Sequence, residues 1–143
     1  MEWDYDYGFV MVSDDNGVTW TSLPSKKGST IIGAYNPRQN QCQATYGNGI
    51  TGVSDGQANS PTNPNRIDDA YPPAKFVDDE FDLSAYKGKN IILRFSYATD
   101  PGLAKRGWFI DDVEITADSE VFTRATSKRA TSGRSCSRKA GPV

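Results

Sequence analysis

Histidine is absent from all 143 residues. That excludes Ser-His-Asp and Cys-His catalysis, and every zinc site that depends on imidazole. Cysteine is scarce: Cys42 sits in a polar stretch and Cys136 in a basic one. Two cysteines so far apart do not make a disulfide framework and do not set the redox compartment. No apolar run is long enough to cross a bilayer, so no membrane span is expected. No stretch sustains a helical period either. Acidic side chains are missing altogether after Glu120.

What is present is turn chemistry and aromatics. Three Trp, seven Tyr and six Phe stand in a polar chain, separated by Gly, Pro, Asn, Asp and Ser. Short apolar runs between such clusters predict short strands, turns and long loops, an all-β class. The length suffices for one domain with a real core. All 18 acidic residues lie before Val121, so the body is acidic, tolerates or recruits cations, and is not expected to bind nucleic acid. Arg124, Lys128, Arg129, Arg134, Arg138 and Lys139 fall after it. The expected organisation is a β-sandwich over residues 1–122, followed by a disordered basic tail over 123–143 that has too little apolar surface to offset its ordering entropy. Met1 is followed at once by Glu2-Trp3-Asp4-Tyr5-Asp6. That resembles the middle of a strand-rich domain rather than a leader, and suggests a piece of a longer protein.

Along the chain, Tyr5–Ser13 is expected as a strand apolar on both faces: Tyr5, Tyr7, Phe9 and Met11 on one, Val10 and Val12 on the other. Asp14-Asp15-Asn16-Gly17 is a turn, and Val18–Leu23 the returning hairpin arm. Breakers crowd residues 36–73, which are expected to be mostly loop with a short strand around Ile50; loops of that length are usually functional or mobile. Phe76–Leu83 suggests a strand that turns polar. Ser84–Lys89 suggests a tight turn with one helical turn in it. Ile91–Ala98 and Trp108–Thr116 are expected as strands that pair with each other. Within the second, Asp111 and Asp112 have opposite parity, so one of them is expected to face the interior. A buried carboxylate needs hydrogen-bond donors, a basic residue or a metal ion.

Three motifs stand out. Ser13-x-Asp15-x-Gly17-x-Thr19-Trp20 matches the Asp box at every defining position. Asp15 would accept hydrogen bonds from turn amides, Gly17 would supply positive φ, and Trp20 would cover the hairpin. One copy without repeats at blade spacing is a stabilised hairpin rather than a propeller. The second motif is Phe81-Asp82-Leu83-Ser84-x-Tyr86-x-Gly88-Lys89-x-Ile91-x-Leu93-Arg94-Phe95, and the third is Gly107-Trp108-Phe109-Ile110-Asp111-Asp112-Val113.

In this order and spacing the three resemble the MAM-like jelly-roll domain of the immune inhibitor A family of secreted bacterial zinc metalloproteases. The likeness covers about Trp3 to Phe122. It implies a jelly-roll-like antiparallel β-sandwich (MAM/galactose-binding-like), incomplete at its N-terminus, that follows the catalytic domain in its parent. The family's zinc signature is His-Glu-x-x-His. No histidine exists here to match it, so no catalytic residue is carried over, and zinc would belong only to the parent's catalytic domain. The implied function is a non-catalytic, extracellular accessory domain whose partner is that catalytic domain. The rival reading is a carbohydrate-binding or adhesive module of a bacterial cell-surface protein, with protein or glycan ligands.

Asp111 and Asp112 also resemble the paired acids that such domains place at a cation site. Calcium is the cofactor they would suit, with Asp82, Asp4 or Asp6 completing the oxygen shell. Pairing with Arg94 or with backbone amides is the alternative. Asp78-Asp79-Glu80 with Asp82 is most simply a solvated strand edge. Tyr35, Tyr46, Tyr71 and Trp108 are candidates for stacking on sugars, or for core and rim packing.

Overall fold

The computed structural model describes residues 1, 5–30, 46–52, 54, 75–100, 102 and 106–117, with the backbone of 120–125 and 128–129. Its organising element is β1 (Tyr7–Ser13), all seven residues of which are buried. The chain folds back through a turn into β2 (Thr21–Ser22). After a 3₁₀ turn at Ser84–Tyr86 it enters β3 (Ile92–Ala98). The three strands form one antiparallel sheet in the order β2-β1-β3, with Val10 opposite Phe95 and Val12 opposite Leu93.

The central position of β1 explains why it is apolar on both faces. Tyr7, Phe9 and Met11 pack with Ala98, Trp20 and Tyr46 on one side. Val10, Val12 and Leu23 pack on the other, under Phe81, Leu83, Tyr86, Ile91, Leu93 and Trp108. Fully burying each large apolar side chain contributes about 1.5–3 kcal/mol, so Tyr7, Phe9 and Met11 anchor one cluster and Val10 and Val12 the other. Gly8 lies on the second face, where the indole of Trp108 rests on its backbone. A Cβ at that position would lie 2.6 Å from Trp108 Cε3, so only glycine admits the approach. Ile50 meets Gly8 through an isolated antiparallel bridge, with reciprocal 2.8 Å hydrogen bonds, where a short strand was expected.

The remaining described strands form two pairs. β4 (Phe109–Ile110) pairs with β7 (Lys128–Arg129), and β5 (Val113–Ala117) pairs with β6 (Glu120–Ala125). Among the described residues the regular structure is nearly all antiparallel strand, with one 3₁₀ turn, consistent with an all-β sandwich.

Three expectations are corrected. β3 pairs with β1, not with the run from Trp108: the hairpin of β1 and β2 leaves the other edge of β1 for it. The run from Trp108 to Thr116 is two strands, because Asp112 adopts φ 47° and breaks the pleat between Ile110 and Val113. Residues 76–83 contribute only an isolated bridge from Phe81 to Ser25, and Phe76 is 71% exposed. Backbone pairing of β6 with β5 runs as far as Ala125, and β7 pairs with β4 at Lys128 and Arg129. Asp4, Tyr35, Cys42, Tyr71, Cys136 and most of the expected loop at 36–73 lie outside the described residues.

Candidate functional site

The densest polar construction is the turn that joins β1 to β2. Ser13 ends β1, and its Oγ accepts hydrogen bonds from Gly17 N–H at 2.8 Å and Asp15 N–H at 3.4 Å while donating to Asp15 Oδ1 at 2.7 Å. Thr19 N–H is shared between the two carboxylate oxygens of Asp15, each at 2.9 Å, and Thr19 Oγ1 donates to Oδ2. The chain can close on itself this tightly because Asn16 and Gly17 take φ of 59° and 86°, a region open to Gly and tolerated by Asn. Trp20 Nε1 then donates to Gly17 O at 3.0 Å and lays its ring along the hairpin. So many donors favour the charged carboxylate. The Thr19 hydroxyl comes first, then the Thr19 amide and the Ser13 hydroxyl, and together they hold Asp15 down at about 2.

Beside this turn sits Arg94, a charge in the middle of β3. Its guanidinium lies 3.8 Å from the centre of the Trp20 ring, and Nη2 donates to Met11 Sδ at 3.2 Å. Arg94 Nε is buried and has no hydrogen-bond partner among the described residues. Asp14, next to the turn, pairs with Lys89 Nζ at 2.6 Å, and that hydrogen bond raises the Lys89 pKa.

A second turn repeats the serine device. Ser25 Oγ accepts from Lys27 N–H at 3.0 Å and Ser29 N–H at 3.2 Å. Here the hydroxyl donates to Asp79, 54 residues away, and Ser29 Oγ donates to the same carboxylate. Lys26 pairs with Glu80, whose hydrogen bond raises the lysine pKa. Asp79 and Glu80, expected as a solvated edge, therefore tether residues 75–81 to the end of the hairpin.

The acids proposed for calcium are dispersed. Asp111 and Asp112 are both exposed, so neither faces the interior. The reason is the kink: Asp111 Oδ1 accepts the N–H of Asp112 at 2.9 Å, a local bond that competes with strand geometry. Asp82 accepts from Ser84 N–H at 2.8 Å, which is the first cause of its lowered pKa. Among the described residues no group of three or more His, Cys, Asp or Glu is placed to hold a metal ion. The zinc of the resembling proteases finds no fit here either, since the chain lacks histidine. Among the described residues the buried acid is Asp6, 2% exposed, which accepts the phenolic hydrogen of Tyr97 at 2.8 Å.

Two of the candidate sugar-stacking aromatics are used in packing. Tyr46 meets Phe9 edge-on at 5.3 Å between ring centres, and Trp108 meets Phe95 edge-on at 6.0 Å while covering Gly8. Exposed apolar side chains lie elsewhere: Val18 on the turn, Ile92 and Phe95 on β3, and Phe109 on β4, which is 49% exposed. Neither the contact of Arg94 with Trp20 nor the burial of Asp6 was expected from the sequence. The signal for the first was a lone cation in an apolar strand. The second had only a weak one, an acid two residues ahead of Gly8 on the inward parity.

Comparison with known proteins agrees with this architecture. The chain is 40% identical over 70 residues to Bacillopeptidase F of Bacillus subtilis (strain 168), covering 49% of this chain and 5% of that protein. It is 45% identical over 47 residues to Immune inhibitor A of Bacillus thuringiensis subsp. alesti, covering 33% of this chain and 7% of that protein. It is 46% identical over 43 residues to the Pre-pro-metalloprotease PrtV of Vibrio cholerae serotype O1 (strain M66-2), covering 30% and 5%. The chain thus matches only a small part of the length of these curated relatives. No solved structure matches it. The family model described as "Immune inhibitor A-like, MAM domain" matches residues 1–135, so the chain belongs to the immune inhibitor A-like MAM domain family.

Proposed function

We propose that this chain is a non-catalytic accessory domain of an extracellular protease of the immune inhibitor A kind, which docks against the catalytic domain or helps it engage substrate. The observation that carries the reading is the family match over residues 1–135, together with relatives whose names denote proteases. The described surface agrees with it. Its most developed polar feature, the Ser13–Trp20 turn, spends most of its hydrogen bonds on itself. The exposed Ile92, Phe95 and Phe109 give it apolar surface for a protein neighbour. The rival sugar-binding reading is weakened because Tyr46 and Trp108 are committed to packing.

The test is the coding sequence that flanks this frame. A protease domain with an in-frame His-Glu-x-x-His motif upstream is the expected result. Surface-anchor repeats or a glycosidase domain in that place would overturn the proposal.

A further inference from the structure

The first sheet ends at β3. β1 pairs with one edge of that strand, and among the described residues no strand lies on the other edge. We propose that two copies of this chain associate through that edge, β3 against β3, about a two-fold axis at Phe95.

The hydrogen-bond pattern locates the open edge. Leu23 N–H donates to Val10 O, and Gly8 exchanges hydrogen bonds with Ile50. The even-numbered residues of β1 therefore direct their backbone groups away from β3. The odd-numbered ones, Tyr7 to Ser13, face β3 through Ala98, Ser96, Arg94 and Ile92. Backbone groups alternate between the two edges of an antiparallel strand. The N–H and C=O of Leu93 and Phe95 thus point to the outer edge, where no partner for them is found among the described residues. Native sheets guard such edges with lysine, proline, a bulge or a very short strand. β3 has seven residues, contains neither lysine nor proline, and pairs with β1 without a register shift. Its one charge is drawn aside, because the Arg94 guanidinium stacks on Trp20. Two large apolar side chains stay exposed on it, Ile92 at 45% and Phe95 at 38%.

A second copy fits this edge because the strand is complementary to itself reversed. Phe95 is the central residue of β3, so an axis there pairs all seven residues with the same seven of the second copy. Phe95 meets Phe95, Leu93 meets Tyr97 and Ile92 meets Ala98. Arg94 of one copy meets Ser96 of the other, whose hydroxyl can accept from it, so no like charges are opposed. An axis one residue earlier would set two guanidinium groups against each other. Antiparallel pairing also brings the Lys89 end of each strand beside Asp100 of the other. The two-fold contact is closed, so it yields a dimer with a continuous sheet rather than a filament. One strand pair is a small interface, of the weak class below about 1,200 Å², and the dimer is expected at high protein concentration. This pairing stands apart from the accessory-domain reading and leaves Phe109 on β4 for that role.

The test is sedimentation equilibrium of the 143-residue chain from micromolar to millimolar concentration under reducing conditions. The chain is expected to pass from monomer to dimer. Phe95→Lys sets two like charges on the axis and should weaken association more than about tenfold. Cysteine pairs read the register without adding a charge to the strand. In a Cys42→Ser, Cys136→Ser background, Phe95→Cys places the two Cα atoms about 5.5 Å apart, within disulfide range, and mild oxidation should give a covalent dimer. Ile92→Cys lies at a more exposed position, but its two copies are about 20 Å apart in this register, and it should not cross-link. A chain that stays monomeric at every concentration, unchanged association in folded Phe95→Lys, or cross-linking at residue 92 equal to that at residue 95 would each overturn the proposal.

Discussion

β1 and the run from Trp108 to Ala117 are built from similar material. Each carries aromatic and branched residues, and each meets a pair of adjacent aspartates. In β1 the pair comes after the strand, and Asp15 turns back to collect donors from Ser13 and Thr19. In the second run the pair falls inside the apolar stretch, and Asp112, at φ 47°, divides it into β4 and β5. β1 is buried over its whole length, whereas none of the described residues from Gly107 to Ala117 is. The position of an acidic pair relative to a strand therefore decides whether it closes a hairpin or ends a ladder. Apolar content alone does not say which run becomes the centre of the core.

The comparison breaks most sharply at two phenylalanines. Phe9→Ala removes a fully buried ring stacked near Tyr7 and edge-on to Tyr46, and should cost about 3–5 kcal/mol. Phe109→Ala, half exposed on β4, should cost under about 1 kcal/mol, as surface changes do. Chemical denaturation of both variants measures the contrast, and equal costs would mean that the two runs share one core after all. Next in size is Gly8→Ala. The new methyl group would meet the indole of Trp108, and such overpacking costs about 1–3 kcal/mol. A Gly8→Ala, Trp108→Ala double variant should recover part of the methyl clash, which a thermodynamic cycle would reveal as coupling.

How far the sequence foretold this structure follows the same division. β1, the turn after it and the helical turn at Ser84 were legible, because each is encoded by local signals: an apolar run bounded by turn residues, Asn-Gly and a Leu-Ser-x-Tyr turn. The pairing partner of β3 was not legible. Register between remote strands is settled by which edge remains open, and no local pattern reports that. The orientation of Asp111 and Asp112 was misjudged because alternation was carried through a residue that leaves the extended region. Arg94 shows a further gap: its charge in an apolar strand was visible, but the ring that receives it lies 74 positions earlier in the chain, across the sheet. Arg94→Gln tests that contact, with an expected loss of about 0.5–1 kcal/mol from the cation–π stack. The same change in a Trp20→Leu background should cost less.

The smallest effect concerns the acid limb of stability, and it separates the Asp15 turn from the rest of the molecule. Folding holds Asp15 at about 2 against an ordinary 3.8. A carboxylate depressed by folding binds fewer protons in the native state than in the unfolded chain, so its contribution is fully present above the unfolded value. It is lost as pH falls from about 3.8 through about 2. Asp15→Asn keeps the shape and removes the titration, so the difference in Tm between wild type and variant should shrink across that interval and stay constant above it. The Thr19 hydroxyl is the largest cause of the depression, so Thr19→Val should raise the folded-state value toward the ordinary one, making the loss smaller and complete at a higher pH, while leaving the Thr19 N–H bond in place. A Tm difference between wild type and Asp15→Asn that does not change between these two pH values would show that the Asp15 hydrogen bonds persist equally in the unfolded chain, and the turn would then be a local property of the sequence rather than a product of the fold.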